Sequence, residues 1–343
     1  MQLRVLLNVL SGIPSRRTSL LGAFLLATVC FGCEASAPTS PSLDSRRVQA
    51  VTSIGSRSVA LLLFYDPAVD VSTLRTPAEY EDMLFTEGRR DFEAWSLGKA
   101  SLSGKVFGWY PVTNLAQRSK TELIALATGY SPSAYNITAY VLSSYSGGVA
   151  VVRSGQGDFT VGASEGTGYI LHEILHVCGL GHANKCTDQT QFPACGVRAY
   201  GDKYSVMGSN IFSDVAGLPP TAMHREMLGW ISVPVADSSS QTKDFPLNLY
   251  ETTGDALKIP RGPRDWFYIE RRADGLHVCT VDPTDRKASL WLPQLPIIDR
   301  VTGIEIHSIP GGVSVTWPQP QPDRWVEDPF KQKGDPAVAS TQK

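Results

Sequence analysis

The spacing of apolar and polar residues changes several times along the chain, and each change predicts a secondary-structure element. Ser58–Tyr65 is a short apolar run ended by Asp66-Pro67, which is typical of a buried strand. From Thr76 to Leu97, acidic residues, aromatics and leucines recur at helical spacing, which predicts a helix that ends at Gly98. The same reasoning predicts a helix at Lys120–Tyr130 and strands at Ser101–Val112, Tyr135–Tyr145 and Gly148–Arg153.

The pattern changes after Trp230. A polar loop is followed by short β-like runs separated by Gly, Pro and Asp, at Phe245–Tyr250, Ala256–Ile259, Trp266–Arg271 and Gly312–Trp317. These runs predict a small all-β domain over residues 236–320, whereas the alternating helices and strands before them predict an α/β or α+β domain over residues 55–235. Residues 321–343 are rich in Pro and Lys and poor in apolar residues, which predicts a disordered tail.

The N-terminus has a pattern of its own. Arg16 and Arg17 precede the apolar run Leu20–Gly32, which is too short for a stable bilayer span and suits the core of a signal peptide. Residues 1–33 are therefore predicted to be a signal segment. Residues 34–54 begin with a Ser/Pro/Ala-rich stretch and are predicted to be a flexible leader.

The sequence at the end of the predicted signal segment is compatible with two kinds of processing. Cys33 follows Gly32, and a small residue before a cysteine is what bacterial lipoprotein processing requires, so Cys33 is a candidate for lipidation and for a lipid anchor. Cleavage after Ala35 or Ala37 would instead give a free secreted protein. In both cases the expected location is extracytoplasmic, either secreted or lipid-anchored to the cell envelope.

Composition narrows the function classes. Hydrophobic residues make up 42% of the 343 residues and charged residues 19%, which fits a folded globular protein. The formal net charge is −2, and no basic run with interleaved aromatics occurs in the sequence. Nucleic acid is therefore not an expected partner.

Four cysteines lie downstream of the signal segment, at Cys178, Cys186, Cys195 and Cys279. In an exported chain they favour disulfides, and four cysteines allow three connectivities. Cys186 and Cys195 bracket a short Pro-containing loop and are the first pair that we expect, with Cys178 and Cys279 as the complementary pair. Four separate buried thiols are the alternative.

The segment His172–His182 reads H-E-I-L-H-V-C-G-L-G-H. Residues four apart share a helix face, so His172 and His176 would present their imidazoles to one metal ion. Gly179 can end the helix in a left-handed conformation, after which the chain turns and brings His182 back as a third ligand. Three imidazoles with a fourth position left for water are typical of catalytic zinc, and Glu173 is placed to act as general base. A plain amphipathic helix would not explain Gly179 and His182 at these offsets.

A second motif, Tyr200–Gly208, lies downstream and contains Met207. In metzincin peptidases the H-E-x-x-H-x-x-G-x-x-H helix is followed by a tight turn with a methionine beneath the zinc site, and Met207 falls where such a turn belongs. An ordinary core methionine is the alternative. Asp202, in the same motif, is a candidate for calcium binding or for stabilising the turn, and one carboxylate does not decide between them.

With both motifs present, the chain resembles the gametolysin family of metzincin zinc metallopeptidases. The resemblance covers roughly residues 55–275 and rests on three places, which are the zinc motif running into Gly181–Ala183, Tyr200–Asp202 leading into Ser205–Gly208, and Ala222–Arg225 leading into Leu228–Trp230. It implies a zincin catalytic domain with a mixed sheet and an active-site helix, zinc as cofactor, endopeptidase activity and an extracytoplasmic setting. Two departures are Cys178 before Gly179 and the lack of a tyrosine closely following Met207.

These observations predict an exported zinc-dependent endopeptidase that hydrolyses extracellular or cell-wall proteins. The substrate would be an extended peptide that adds to the strand Gly148–Arg153 at the edge of the cleft. The alternatives are a surface adhesion protein built on a peptidase-like fold and a zinc hydrolase of non-peptide cell-wall amides. The presence of Glu173 with all three candidate ligands argues against a protein that only adheres, because a non-catalytic form of the fold would be expected to have lost the base or a ligand. His224 is expected to be a buried structural histidine.

Overall fold

The computed structural model describes residues 53–153, 156–208, 218–237, 241–262 and 265–318. All of them belong to one compact unit, Arg47–Lys343. The predicted signal segment with Cys33, nearly all of the predicted leader and the predicted tail at residues 321–343 lie outside the described residues. None of the described helices has the length and hydropathy needed to cross a membrane.

The described residues form a mixed α/β structure with three sheets and few helices. The helices are α1 Pro77–Asp82, α2 Arg89–Trp95, α3 Lys120–Leu126, α4 Thr167–Val177, α5 Ala222–Met227 and α6 Tyr250–Thr253, with a π-helical turn at Met83–Gly88 that joins α1 to α2. The strands are β1 Gly55–Tyr65, β2 Ala100–Pro111, β3 Ile137–Leu142, β4 Gly148–Arg153, β5 Gln156–Gly162, β6 Ala183–Cys186, β7 Val197–Arg198, β8 Thr242–Pro246, β9 Ala256–Gly262, β10 Asp265–Arg272, β11 Gly275–Val281, β12 Ser289–Leu292, β13 Ile297–Ile298, β14 Glu305–Ile309 and β15 Gly312–Thr316.

The first sheet has the strand order β2-β1-β3-β5-β4. Its first four strands are parallel, and β4 pairs antiparallel with β5 at the edge, so the sheet is mixed. Strand β1 lies between β2 and β3 and is buried on both faces, which explains why Val59–Phe64 is apolar without alternation. Helices are therefore required on both sides of this sheet.

Alternate residues of β1 enter two different cores. Val59, Leu61 and Leu63 pack with α1, α2 and α4, whereas Ala60, Leu62 and Phe64 pack with α3 on the opposite face. Helix α4 lies close against β5, because Gly157 leaves the space that the Val177 side chain fills. The motif helix is thereby fixed between the sheet and the π-helical turn.

The other two sheets pack face to face. The six-stranded sheet has the order β7-β6-β12-β11-β10-β9, and the four-stranded sheet has the order β13-β14-β15-β8. Apolar residues from both inner faces share one core, among them Ile259, Phe267, Ile306 and Val315. Strands β6 and β7 precede residue 235 and the other four strands of the six-stranded sheet follow it, so this sheet joins both predicted domains.

Several predicted elements differ in detail. The helix predicted at Lys120–Tyr130 ends at Leu126, because Ala127 leaves the helical conformation and Gly129 has a φ of +77°. The strand predicted to reach Tyr250 stops at Pro246, and Tyr250 begins α6 with its hydroxyl donating to the carbonyl of Pro220 over 2.9 Å. Strand β5 was not predicted, since its buried Asp158 and Thr160 hide the apolar pattern.

One of the two predicted cysteine pairs is a disulfide in the structure. Cys186 and Cys195 form a disulfide with Cα atoms 5.7 Å apart, as predicted. The predicted Cys178–Cys279 pair is wrong, because both residues are buried free thiols in different cores, Cys178 beside α4 and Cys279 beneath α5. Burial raises the pKa of the Cys178 thiol to about 12, as expected of an inert core cysteine.

Candidate metal centre

Helix α4 carries the first two motif histidines. Ile170, Leu171, Ile174 and Leu175 are fully or almost fully buried in the core that α4 shares with β1. The ring centroids of His172 and His176 are 4.4 Å apart, the consequence of their four-residue spacing on one helix face.

Helix α4 ends at Val177, with Cys178 as its C-cap, in the turn that the sequence predicted. Gly179 has a φ of +100°, its N–H donates to the carbonyl of His176 over 2.9 Å, and the N–H of Leu180 donates to the carbonyl of Leu175 over 3.1 Å. This pair of bonds with a glycine at the left-handed position is a Schellman motif. It reverses the chain and brings the ring of His182 to 4.7 Å from that of His176 and 5.6 Å from that of His172.

Backbone carbonyls fix the orientation of the two helical imidazoles. The Nδ1 atom of His172 lies 2.9 Å from the carbonyl oxygen of Val206, and that of His176 lies 2.8 Å from the carbonyl oxygen of Leu180. A carbonyl oxygen only accepts, so each Nδ1 carries the proton and each Nε2 keeps a free lone pair. Metal-binding histidines are oriented by such bonds.

All three imidazoles are held in the neutral form that metal binding needs. Burial is the largest cause, and the neighbouring His176 the second largest, of a lowered pKa for His172, to about 3, and for His182, to about 4. Burial also lowers the pKa of His176. One ligand atom from each of the three residues lies within 4.8 Å of the others, so His172, His176 and His182 could hold a metal ion.

Glu173 lies next to this group and is only 3% exposed. Its Oε2 atom is buried without a hydrogen-bond partner in the described part of the chain. Burial raises the pKa of the carboxyl group to about 7. An unpartnered buried carboxylate is unfavourable unless a nearby cation compensates it, and a metal ion between the three histidines would do so.

The edge strand β4 contacts Glu173 through a glycine. A Cβ atom added at Gly148 would overlap the carboxylate of Glu173 and the ring of Tyr169. The absence of a side chain at this position therefore lets the edge of the sheet approach the acidic group closely.

The predicted methionine turn lies under the same helix. Met207 is fully buried in the α4 core, its N–H approaches the Ser205 hydroxyl over 3.2 Å, and its carbonyl accepts from Ala183 over 2.7 Å. The preceding carbonyl, that of Val206, is the one that orients His172. Gly208 has no room for a Cβ atom, which would overlap the carbonyl of Asp202.

Asp202 is fully buried and stabilises this turn. Its Oδ1 accepts from the N–H of Tyr204 over 2.9 Å, and its Oδ2 lies 3.0 Å from Nε2 of His277. His277 also forms a second buried group of potential metal ligands with Glu270 and Cys279. The oxygens of Glu270 already accept from the N–H of Ala222 and from the guanidinium of Arg272, which also donates to the carbonyl of Tyr204 over 2.7 Å. This second group therefore ties the methionine turn to the six-stranded sheet.

A loop from the predicted β-domain supports the third histidine. The carbonyl of Lys287 accepts from the N–H of Gly181 over 2.8 Å, and the N–H of Ser289 donates to the carbonyl of His182 over 3.0 Å. His224, fully buried as predicted, lies with its Nε2 3.1 Å from the same Lys287 carbonyl, and burial lowers its pKa to about 4. The contact of His224 joins residues 63 positions apart, and those of Gly181 and His182 join residues more than 100 positions apart, so local sequence patterns do not reveal them.

Tyr200 is a further residue at the centre that the sequence did not single out. Its ring centroid lies 3.8 Å from that of His182 and 6.0 Å from that of His172. Its φ of +56° is left-handed, a conformation that costs a residue other than glycine about 1–3 kcal/mol. Its position at the start of the motif that carries Met207 was the only available signal.

The chain was compared with models of protein families and with curated proteins. No family model matches the chain, and no curated protein matches it.

Proposed function

We propose that the chain is a zinc-dependent endopeptidase of the metzincin type, similar to the gametolysin family. The observation that carries the proposal is the convergence of three imidazoles beside the buried Oε2 of Glu173, which has no hydrogen-bond partner among the described residues. A purely structural helix would not be expected to carry such an oxygen, because a buried polar atom without a hydrogen-bond partner destabilises the fold.

The donor set favours zinc. His172, His176 and His182 would hold the ion through neutral imidazole nitrogens, whereas calcium and magnesium prefer oxygen ligands. When bound, zinc supplies a Lewis acid that polarises a carbonyl group and lowers the pKa of water. The carbonyls of Val206 and Leu180 would keep two of the imidazoles in the required tautomer.

Glu173 would act as the general base. It would take the proton of the attacking water and pass it to the leaving amine, so that the carboxylate is restored at the end of the reaction. A cation beside the carboxylate would favour its ionised form, which is the form that accepts a proton. Its burial keeps bulk water from competing for the carboxylate.

We propose that the substrate is a peptide in the extended conformation. Strand β4 is at the edge of the mixed sheet in the part of the chain that the structure describes, and a peptide chain could pair with the backbone groups on its outer side. Gly148 of this strand lies against Glu173, so a peptide paired there would pass close to the base. The Cys186–Cys195 disulfide supports an extracytoplasmic setting, since disulfides persist in oxidising compartments.

The experiment that tests the proposal is a casein or gelatin assay on the purified protein, with and without a chelator. We expect hydrolysis that the chelator abolishes and that added zinc restores. Adhesion to host or matrix proteins without hydrolysis would favour the binding protein, and release of amines from cell-wall material but not from casein would favour the non-peptide hydrolase. Hydrolysis that survives full zinc removal would contradict the proposal.

The close approach of β4 to Glu173 gives a further prediction. Gly148→Ala should lower kcat by about 10²-fold, because the added Cβ pushes the flexible Glu173 side chain from its position and small displacements of a catalytic group are costly. Zinc content should be unchanged, since no ligand is displaced. Steady-state kinetics and metal analysis of the purified variant would measure both quantities.

Gly108→Ala is the matched control for this change. Gly108 also lies in the mixed sheet, in β2, and a Cβ atom there would meet nothing within 4 Å. Its kcat should equal that of the wild type. Equal activities in Gly148→Ala and Gly108→Ala would show that β4 does not position Glu173.

A further inference from the structure

The backbone of Tyr200 is held in its left-handed conformation by residues outside its own turn. Its N–H donates to Oδ1 of Asn184 over 3.1 Å, and Nδ2 of Asn184 donates to Oδ2 of Asp282 over 2.8 Å. Asn184 and Asp282 are both buried. Strained residues persist where the surroundings impose the conformation, and they are concentrated at functional sites. The left-handed backbone therefore points to a functional role for the Tyr200 side chain.

The side chain of Tyr200 lies over the metal centre. Its ring is tilted by 38° against that of His182 and stacks at 26° on that of His172. The phenol also interacts electrostatically with the side chains of Glu173 and Tyr169, which lie on the same helix as His172 and His176. Within the described residues, no protein group forms a hydrogen bond with the Tyr200 hydroxyl.

We propose that Tyr200 is a catalytic residue whose hydroxyl donates a hydrogen bond to the carbonyl oxygen of the peptide bond being cleaved. The inference rests on the proposed peptidase function and adds a residue to it. As the carbonyl carbon becomes tetrahedral, its oxygen gains negative charge, and a preorganised donor stabilises that charge more than it stabilises the planar substrate. Tyr200 keeps its proton throughout, and no covalent bond to it forms or breaks.

The test compares the zinc-loaded wild type with Tyr200→Phe, which keeps the ring against His182 and removes only the hydroxyl. Tyr204→Phe is the matched control, because Tyr204 lies in the same segment with its ring against His277 and Trp291. The measurements are the zinc dissociation constant, kcat and KM on a fluorogenic peptide taken from a casein cleavage site, and the affinity for a phosphinic peptide of the same sequence. The phosphinic group carries tetrahedral oxygens where the substrate has a planar carbonyl.

We expect Tyr200→Phe to bind zinc as the wild type does, with kcat lower by about 10²-fold, as for loss of a single oxyanion donor. KM should stay within about threefold, and the affinity for the phosphinic peptide should fall together with kcat. Tyr204→Phe should match the wild type in every measurement. A merely structural role for Tyr200 would lower zinc binding, and a role in peptide binding alone would raise KM.

Three results would overturn the inference, namely an unchanged kcat, a loss confined to KM, or a loss of zinc in Tyr200→Phe. The wild type separates this failure from that of the proposed function. A wild type without chelator-sensitive hydrolysis contradicts both, whereas an active wild type with an equally active Tyr200→Phe variant contradicts the role of Tyr200 alone.

Discussion

Replacing Glu173 with alanine is expected to lower kcat by at least about 10²-fold while zinc binding and the fold are retained. Glu173 is adjacent to the proposed ligands without being one of them, so its loss removes proton transfer and not metal coordination. The stability should not fall sharply, because the change also removes a buried oxygen that has no partner among the described residues. Single-turnover kinetics, metal analysis and thermal unfolding would measure the three effects.

Two further variants make this result specific. Glu173→Gln keeps the size of the side chain against Gly148 and removes the basic oxygen, so it should be as inactive as the alanine variant. Glu87→Gln makes the same chemical change at an exposed position of the π-helical turn and should leave kcat unchanged. More than about a tenth of the wild-type activity in Glu173→Ala would be incompatible with a general base, whose loss costs 10²-fold or more.

The parts of the centre that the sequence predicted are those set by local geometry. His172, Glu173 and His176 share a helix face because of the helical repeat, and Gly179 ends the helix because a glycine takes a positive φ without strain. Cys186 and Cys195 were paired from their short separation, and the disulfide confirms it. Each of these inferences needs only residues within about ten positions of one another.

The parts that the sequence did not predict depend on contacts between distant segments. The carbonyl of Val206 that orients His172 is 34 residues from it, and the carbonyl of Lys287 that holds Gly181 is 106 residues from it. Backbone groups carry no residue-specific signal, so a single sequence does not reveal which carbonyl faces which imidazole. The same limit hid Tyr200, whose strained backbone depends on Asn184 and Asp282.

The sequence predicts a small all-β domain over residues 236–320 but assigns it no role. Strand β12 pairs in parallel with β6, which directly follows His182, and the connection at residues 282–288 packs against Gly181. Strand pairing of this kind depends on register between residues 106 positions apart, which apolar spacing does not encode. The third histidine therefore takes its position from the six-stranded sheet, whereas the first two take theirs from α4.

Because different parts of the fold support the third histidine and the first two, replacing each histidine tests a different part of the proposed zinc site. His182→Ala should weaken zinc binding by more than about 10²-fold, as His172→Ala should, because loss of a direct ligand costs more than loss of the groups that orient it. The prediction is a demanding one for His182, which lies outside the helix and depends on the contacts of Gly181 and Ser289. Zinc content after dialysis, and competition with a chelator of known affinity, would be measured for each variant.

His307→Ala provides the control for these two variants. His307 lies in β14 with its Nε2 3.3 Å from Glu305 and belongs to neither group of potential ligands, so its removal should leave zinc binding unchanged. If His182→Ala binds zinc as tightly as His307→Ala does, the third ligand is a different residue and the metzincin assignment fails. If His182→Ala and His172→Ala lose zinc together, the helix and the six-stranded sheet each supply part of one centre, and the β-region is part of the catalytic unit rather than an appendage to it.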